Sequence, residues 1–387
     1  MNLKERDREY IANTYNRFPV EIVSGKGSLV YDETGKRYID MGSGIAVTSF
    51  GVADEEWIAS VTSQLSRVQH ASNLYYTSPC VDLAEILCRR TGMKKVFFSN
   101  SGAEANECAI KVAREYGRTK LGAEYYEIVT LKGSFHGRTI TTLSATGQEH
   151  YHEKFGPMTP GFLYAEPGDA GALQELFRDH HIAAVLVECI QGEGGVIPLD
   201  PGYAAAAEKI AKENGALFMV DEVQTGNGRT GTLYAYEGYG LSPDVVSTAK
   251  GLAGGLPMGA TLLGEKVENV LGFGDHGSTF GGNPAAAAGA VSILSRLTPD
   301  FLLEVAGKGE YLKKAFEGAK GVRAVTGKGL MLGLLTEKPA GEVLALCREK
   351  GVLCLTAKDK LRLLPALNIP DELLKEAAEI IKEAAAS

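Results

Sequence analysis

Lys250 stands between a short apolar run, Val245–Thr248, and a glycine-rich stretch, KGLAGGLPMG. Asp221 ends an earlier apolar run, LFMV, and is followed by Glu222, Val223 and Gln224. Three more apolar runs lead into polar clusters. KVFFS leads into Asn100, Ser101, Gly102, Ala103 and Glu104, and EIVTL into Phe135, His136, Gly137 and Arg138. AVLVE leads from Glu188 into Cys189, Gln191, Gly192 and Glu193. Singly, each group has an ordinary explanation. Asn100–Glu104 reads as a capped helix start, and Asp221 as an N-cap or surface carboxylate. Lys250 reads as a solvated lysine, Phe135 as core and Arg138 as half of a surface ion pair. Together they supply free N–H groups for a phosphate, an aromatic face for a flat ring, a carboxylate, a primary amine and a guanidinium fork for a substrate carboxylate. Pyridoxal phosphate is the cofactor that calls for all of these in one cleft. The lysine would hold its aldehyde as a Schiff base. The carboxylate would keep its ring nitrogen protonated, so that the ring accepts electrons from a carbanion. The GxxxxGK[ST] and GxGxxG nucleotide patterns are absent.

These groups need a scaffold that brings several strand ends together. The spacing predicts strands over Lys95–Ser99, Glu127–Leu131, Ala184–Glu188, Leu217–Val220, Val245–Thr248 and Thr261–Gly264. A helix over Ala103–Tyr116 would place Ala105, Cys108, Ala109, Val112, Ala113 and Tyr116 on one face. A second, over Tyr203–Asn214, would end at Gly215. Strands alternating with helices predict an α/β fold with a mostly parallel sheet covered on both faces. In such sheets ligands gather beyond the carboxyl ends of the strands, where the polar clusters fall. The chain ends read differently. A DETGKR turn joins two short strands near the start. Helices over Ala285–Leu297, Phe301–Lys320, Ala340–Glu349 and Asp371–Ala385 alternate with short strands over Leu330–Leu335, Val352–Leu355 and Lys360–Leu364. The expected division is a large domain over residues 46–284 and a small α+β domain from both ends, residues 1–45 and 285–387.

Of 387 residues, 44% are hydrophobic and 23% charged, enough apolar material for a core and against wholesale disorder. A net charge of -8 gives no electrostatic case for nucleic acid or an anionic membrane. The 47 glycines fall in short runs beside polar residues and not in a collagen-like period. Cys80, Cys88, Cys108, Cys189, Cys347 and Cys354 form no CxxC pair and complete no zinc pattern. Six reduced thiols and no metal are expected. MNLKERDREY carries no apolar signal region, and no run reaches the roughly 18 residues of a membrane span. A cytoplasmic protein is expected.

The sequence resembles the class III (ornithine-type) aminotransferases of fold type I, and within them the acetylornithine branch. The stretches that carry the likeness are NTYNRFPVEI (13–22), GIAV (44–47), FFSNSGAEANECAIKVAR (97–114) and GSFHGRT (133–139). ECIQGEGGVIP (188–198), VDEVQTGNGRTG (220–231), STAKGLAGGLPMGA (247–260) and HGSTFGGNP (276–284) complete it, across nearly the whole chain. The resemblance implies a seven-stranded-type, mostly parallel sheet in the large domain. It implies Lys250 as the Schiff-base lysine and proton carrier, and Asp221 as partner of the ring nitrogen. It further implies Gln224 on the ring's phenolic oxygen, Phe135 stacked on the ring, and Ser101, Gly102 and Ala103 around the phosphate. Glu222 and Val223 belong to the same cofactor-binding stretch, and Glu188 would be a supporting carboxylate. Thr279 would reach the phosphate of a neighbouring subunit's cofactor, making a homodimer part of the site, with Ser278 near the substrate on the same loop. Arg138 would take the distal substrate carboxylate, and Tyr15 would line its pocket. Glu193 and Arg362 would form a pair that stays closed for one substrate and opens for glutamate.

The implied reaction is ping-pong amine transfer from N-acetylornithine to 2-oxoglutarate. Ornithine, 4-aminobutyrate and succinyl-diaminopimelate are alternative donors. A 2,1-aminomutase of the same fold and a cofactor-free binding protein are rival classes. Three departures from the family pattern stand out: FGVADEEW (50–57) in place of a Gly-His-x-His-Pro stretch, Cys189 in place of a proline, and Asn227 in place of an apolar residue.

Overall fold

The computed structural model describes residues 1–387. Its centre is a seven-stranded sheet. The strands are β1 (Lys95–Ser99), β2 (Glu127–Leu131), β3 (Phe162–Ala165), β4 (Ile182–Val187), β5 (Leu217–Asp221), β6 (Val245–Thr248) and β7 (Gly259–Leu263). Their order across the sheet is β1-β7-β6-β5-β4-β2-β3. The β6–β5, β5–β4, β4–β2 and β2–β3 pairings are parallel, whereas β7 runs antiparallel to both β6 and β1. The expected mostly parallel α/β sheet is therefore present.

The continuous apolar runs reflect burial on both faces, since alternate residues of a strand face opposite ways. On β5, Phe218 and Val220 join the large core. Leu217 and Met219 join a second core on the other face, with Cys108, Ala109 and Val112 of helix α1 (Gly102–Tyr116). β3 escaped the sequence reading because FLYA is a four-residue strand, three of whose positions are only partly buried or exposed. β7 begins two residues and ends one residue before its expected span, starting at Gly259 opposite Ser99.

Outside this sheet, Leu29–Asp32 and Arg37–Asp40 form the hairpin around DETGKR, and Ile22–Lys26 adds a third strand. Val352–Leu353 pairs in parallel with Ile39 and Asp40, so the two chain ends share one sheet. Four further strands, Val322–Lys328, Met331–Thr336, Lys360–Leu363 and Leu355–Ala357, make a separate antiparallel sheet that carries Arg362. All six cysteines are free. No single helix is long and apolar enough to cross a membrane.

Candidate active site

A cavity of about 390 Å³ opens beyond the carboxyl ends of β1, β2, β4, β5 and β6. It lies within the usual size of a small-molecule site. Ser101, Gly102, Ala103, Phe135, Arg138, Asp221, Val223, Gln224 and Lys250 all line it, together with Glu188.

The chain enters α1 directly from β1. Ser101 caps the helix, its Oγ accepting from Glu104 N at 3.2 Å. The first N–H groups of a helix have no intrahelical acceptor, and here the helix start lines the cavity through Ser101, Gly102 and Ala103, a favourable seat for an anion. Two glycines keep this start close-packed. A Cβ on Gly102 would lie 2.6 Å from Val223, and one on Gly259 would lie 2.2 Å from the Ser101 carbonyl oxygen. The second contact is with backbone and has no soft way out. Gly259→Ala is expected to displace the Ser101 turn, with about a tenfold loss of cofactor affinity and a lower melting temperature. Fluorescence titration with pyridoxal phosphate and a thermal melt would check both.

Asp221 ends β5 with 4% of its surface exposed. Its Oδ2 accepts from Asn106 Nδ2 at 2.7 Å and lies 2.8 Å from His136 Nδ1, and its Oδ1 accepts from Val223 N at 2.9 Å. An ionised carboxylate only accepts, so this geometry puts a ring proton on His136 Nδ1. Three of roughly four acceptor positions are filled from within the chain, which leaves one for a donor in the cavity. The sequence alone assigns no role to Asn106 or His136. The available sign was a polar Asn106 on the otherwise apolar face of α1, beside Ala105, Cys108 and Ala109.

Lys250 follows β6 with φ of 45°, a left-handed conformation that a long side chain adopts at a cost of about 1–3 kcal/mol. No side chain or carbonyl accepts a hydrogen bond from its amine. Burial lowers its pKa from the ordinary 10.5, against the opposing pull of Glu193 and Asp221. This favours the neutral, nucleophilic amine. Glu188 accepts from Phe135 N at 3.0 Å and Gly192 N at 3.4 Å, and burial pushes its carboxyl up to about 7.

Phe135 presents its ring to the cavity, with Tyr151 edge-on at 5.7 Å. The Arg138 guanidinium lies 4.3 Å from the Tyr151 ring centre and 5.4 Å from that of Phe135. Arg138 is exposed and forms no salt bridge, so its fork is open to a carboxylate from solvent. Behind Gln224, outside the cavity lining, Arg362 Nη1 donates to Glu193 Oε1 at 2.6 Å and to Gln224 Oε1 at 3.0 Å, and Gln224 Nε2 donates to Glu193 at 3.2 Å. Burial alone would raise the Glu193 carboxyl, but Arg362, with Lys250 and Gln224, outweighs it and holds the carboxyl below the ordinary value.

Glu193 and Arg362 touch the cavity only through Gln224, and four further expected residues lie elsewhere. Glu222 is fully buried, but its carboxylate turns away from the cavity, accepting from Thr225 Oγ1 at 2.6 Å and Tyr236 N at 2.8 Å. It braces the loop after β5 and does not face a cofactor. Burial pushes it up to about 7 from the ordinary 4.5. The folded state thus holds this proton more tightly than the unfolded chain. Its contribution to stability is present below pH 4.5 and is lost as pH rises through about 7. Glu222→Gln is expected to flatten that fall, seen as urea midpoints that decline less between about pH 5 and 8.

Tyr15 is 71% exposed on the N-terminal segment, with Arg17 over its ring at 5.4 Å, and is not brought to this cavity. The reason is local: residues 11–21 make no strand or helix that could carry the ring inward. Ser278 and Thr279 lie on a loop outside this chain's cavity. Ser278 Oγ accepts from Asn100 Nδ2 at 3.1 Å, while Thr279 is exposed.

The sheet and this cavity define a class of enzyme. The chain belongs to the class-III aminotransferases, which are pyridoxal-phosphate enzymes: the family model described as "Aminotransferase class-III" matches residues 10–385. Among its relatives is an acetylornithine aminotransferase of Haemophilus ducreyi, 46% identical, with 98% of each chain covered. An acetylornithine aminotransferase of Caldanaerobacter subterraneus is 43% identical, with 97% of each covered. Among solved structures, the ornithine aminotransferase of Toxoplasma gondii superposes with a TM-score of 0.95 at 31% identity, covering 99% of this chain and 94% of that one. The N-acetylornithine aminotransferase of Stenotrophomonas maltophilia gives 0.86 at 34%, covering 99% and 98%. The fold is thus that of the class III, fold type I enzymes.

Proposed function

We propose that this aminotransferase moves the side-chain amine of N-acetylornithine to 2-oxoglutarate, giving N-acetylglutamate 5-semialdehyde and glutamate, a step of arginine biosynthesis. One observation carries the reading beyond the family. An unpaired Arg138 on the cavity wall and a closed Glu193–Arg362 pair behind it, joined to it through Gln224, give one open carboxylate fork and one that is latent. A donor whose single carboxylate lies far from its amine needs only the first fork. Glutamate, with two carboxylates, needs both. The names of the relatives, at 46% and 43% identity, point to the same donor.

The residues fit pyridoxal phosphate. The start of α1 would hold its phosphate, Phe135 would cover the ring, Gln224 would meet the phenolic oxygen, Asp221 would accept from the ring nitrogen, and Lys250 would hold the aldehyde. When bound, the cofactor supplies an electron-accepting ring that stabilises negative charge on the substrate carbon. Lys250 Nζ would take a proton from the substrate carbon and hold it for return. Its lowered basicity suits both transfers. Arg138 orients the donor by a charge-assisted fork, and Phe135 and Val223 keep water from the reacting face.

The protein acts as a homodimer in the cytoplasm on this reading, with Ser278 and Thr279 of each protomer completing the other's site. The support is an apolar patch beside that loop. Leu74, Tyr75, Tyr76 and Phe280 are 86%, 72%, 100% and 60% exposed, and Asn73 ties their segment to the loop by donating to Ser278 O and Gly281 O at 3.0 Å. Such a patch on a soluble chain marks an interface. Residues 46–284 would form the cofactor domain, and 1–45 with 285–387 the smaller one.

Free ornithine is the second reading, favoured by the close superposition on the Toxoplasma enzyme. Titration of the cofactor-loaded protein with N-acetylornithine, ornithine, 4-aminobutyrate and glutamate separates the two. Conversion of the cofactor absorbance by N-acetylornithine and glutamate, with the others weaker, is expected. Equal or faster conversion by ornithine would move the protein to a sister activity. Sedimentation at micromolar concentration is expected to give a dimer.

A further inference from the structure

The segment that joins Asp40 to the cavity has a backbone that side chains resist. Ser43, Gly44, Ile45 and Ala46 have φ of 47, 61, 66 and 61°, one left-handed turn in which only Gly44 is at ease. For β-branched Ile45 this is a true outlier. Asp40 imposes the turn. Its Oδ1 accepts from Gly42 N at 2.8 Å and Ser43 N at 2.9 Å. Val47 N and Thr48 N then close back on the Ser43 carbonyl at 2.8 and 3.1 Å. Strain of this kind persists only where the surroundings over-determine it, and it gathers at working sites.

The turn reaches two parts of the site. Val47 lines the cavity, and Ser49 Oγ donates to Gly251 O at 3.1 Å, next to Lys250. Ala46 is buried in a small apolar cluster with Ile190, Val196, Met331, Ala357 and Leu364, separate from the two large cores. These residues bracket the Glu193–Arg362 pair. Ile190 and Val196 flank Glu193 along the chain. Leu364 directly succeeds the strand that carries Arg362, and Met331 and Ala357 belong to the strands paired with it. Val196 is itself left-handed, at φ of 52°.

We propose that the Asp40-capped turn is a positioning element: it seats the apolar cluster behind Glu193 and Arg362, and so sets how well Arg362 engages a substrate carboxylate. The inference rests on the proposed function, in which Arg362 serves glutamate and the first donor does not need it. Loosening the turn therefore weakens one half-reaction and spares the other.

The test uses the cofactor-loaded enzyme and tracks each half-reaction separately by single-turnover absorbance. In Asp40→Ala, the glutamate concentration for half-saturation is expected to rise about tenfold, within the range by which remote packing changes couple to a site. That for N-acetylornithine stays within about twofold. Asp40→Asn keeps an Oδ1 acceptor for Gly42 and Ser43 and remains within about threefold of the parent for both substrates. Val196→Ala thins the cluster from the opposite side, gives the same split, and serves if Asp40→Ala does not fold. Equal losses in both half-reactions, or no change in either, in a variant with a cooperative melt, would overturn the proposal. Arg362→Ala separates the positioning role from the substrate reading. If it leaves glutamate saturation unchanged, the substrate reading fails. If it weakens glutamate while Asp40→Ala and Val196→Ala do not, only the positioning role fails.

Discussion

Lys250→Ala is expected to lose at least about 10⁴-fold in turnover, the upper range for removal of a group that moves a proton in the rate-determining region. The side chain is alone among the basic groups of the cavity in pointing a poorly solvated, unpaired amine at its centre. Its neighbours Glu193 and Asp221 oppose the fall in basicity but do not cancel it. Arg138, the other Lys or Arg side chain that lines the cavity, offers a planar guanidinium fork suited to holding a carboxylate. The variant should still fold, because no hydrogen bond depends on the amine and alanine at this left-handed position is no more strained than lysine. It should still take up pyridoxal phosphate on the α1 start, but without the absorbance of the lysine-bound form. Small primary amines added to the buffer should restore part of the activity. A Lys250→Ala protein with multiple turnovers near the parental rate would remove Lys250 from the chemistry.

Asp221→Asn is the second large effect. The carboxylate is held by three donors, from Asn106, His136 and Val223. Its value to the reaction lies in negative charge placed where a ring nitrogen must keep a proton. An amide has no such charge, and its NH2 end would meet either Asn106 and His136 or the Val223 N–H donor to donor. Turnover is expected to fall about 10²–10³-fold, the size of effect for removing one pre-aligned electrostatic partner. The melting temperature should fall by only a few degrees. Asp221→Ala is the poorer test, because it strands three buried donors at about 1–3 kcal/mol each. Steady-state rates at saturating substrate, measured with a thermal melt on the same sample, decide the matter.

The α/β sheet and the cavity were readable in the sequence for a common physical reason. Strands buried on both faces are continuous apolar runs, and the residues at the end of each run lie, by topology, along one edge. That logic found Ser101, Phe135, Asp221 and Lys250 on their correct strand ends, and Glu193 on the loop that meets Arg362. It failed where side-chain direction, not position, decides. Glu222 is adjacent to Asp221 yet faces Thr225 and Tyr236, since neighbouring residues at a strand end point opposite ways. His136 and Asn106 act through Asp221, and no spacing rule reveals a contact between residues 30, 85 and 115 positions apart. The left-handed turn at Ser43–Ala46 leaves no compositional trace either, because GIAV has only one glycine to announce it.

Amine transfer between two substrates in this cavity is the central claim, and isotope transfer tests it most directly. The cofactor-loaded protein is given N-acetylornithine carrying ¹⁵N in its side-chain amine, with 2-oxoglutarate, and the products are read by mass spectrometry. The expected result is ¹⁵N in glutamate in equal amount to the aldehyde formed, and none when Lys250 is replaced by alanine. Label that stays on a rearranged donor, or a glutamate pool that remains unlabelled while the donor is consumed, would contradict it.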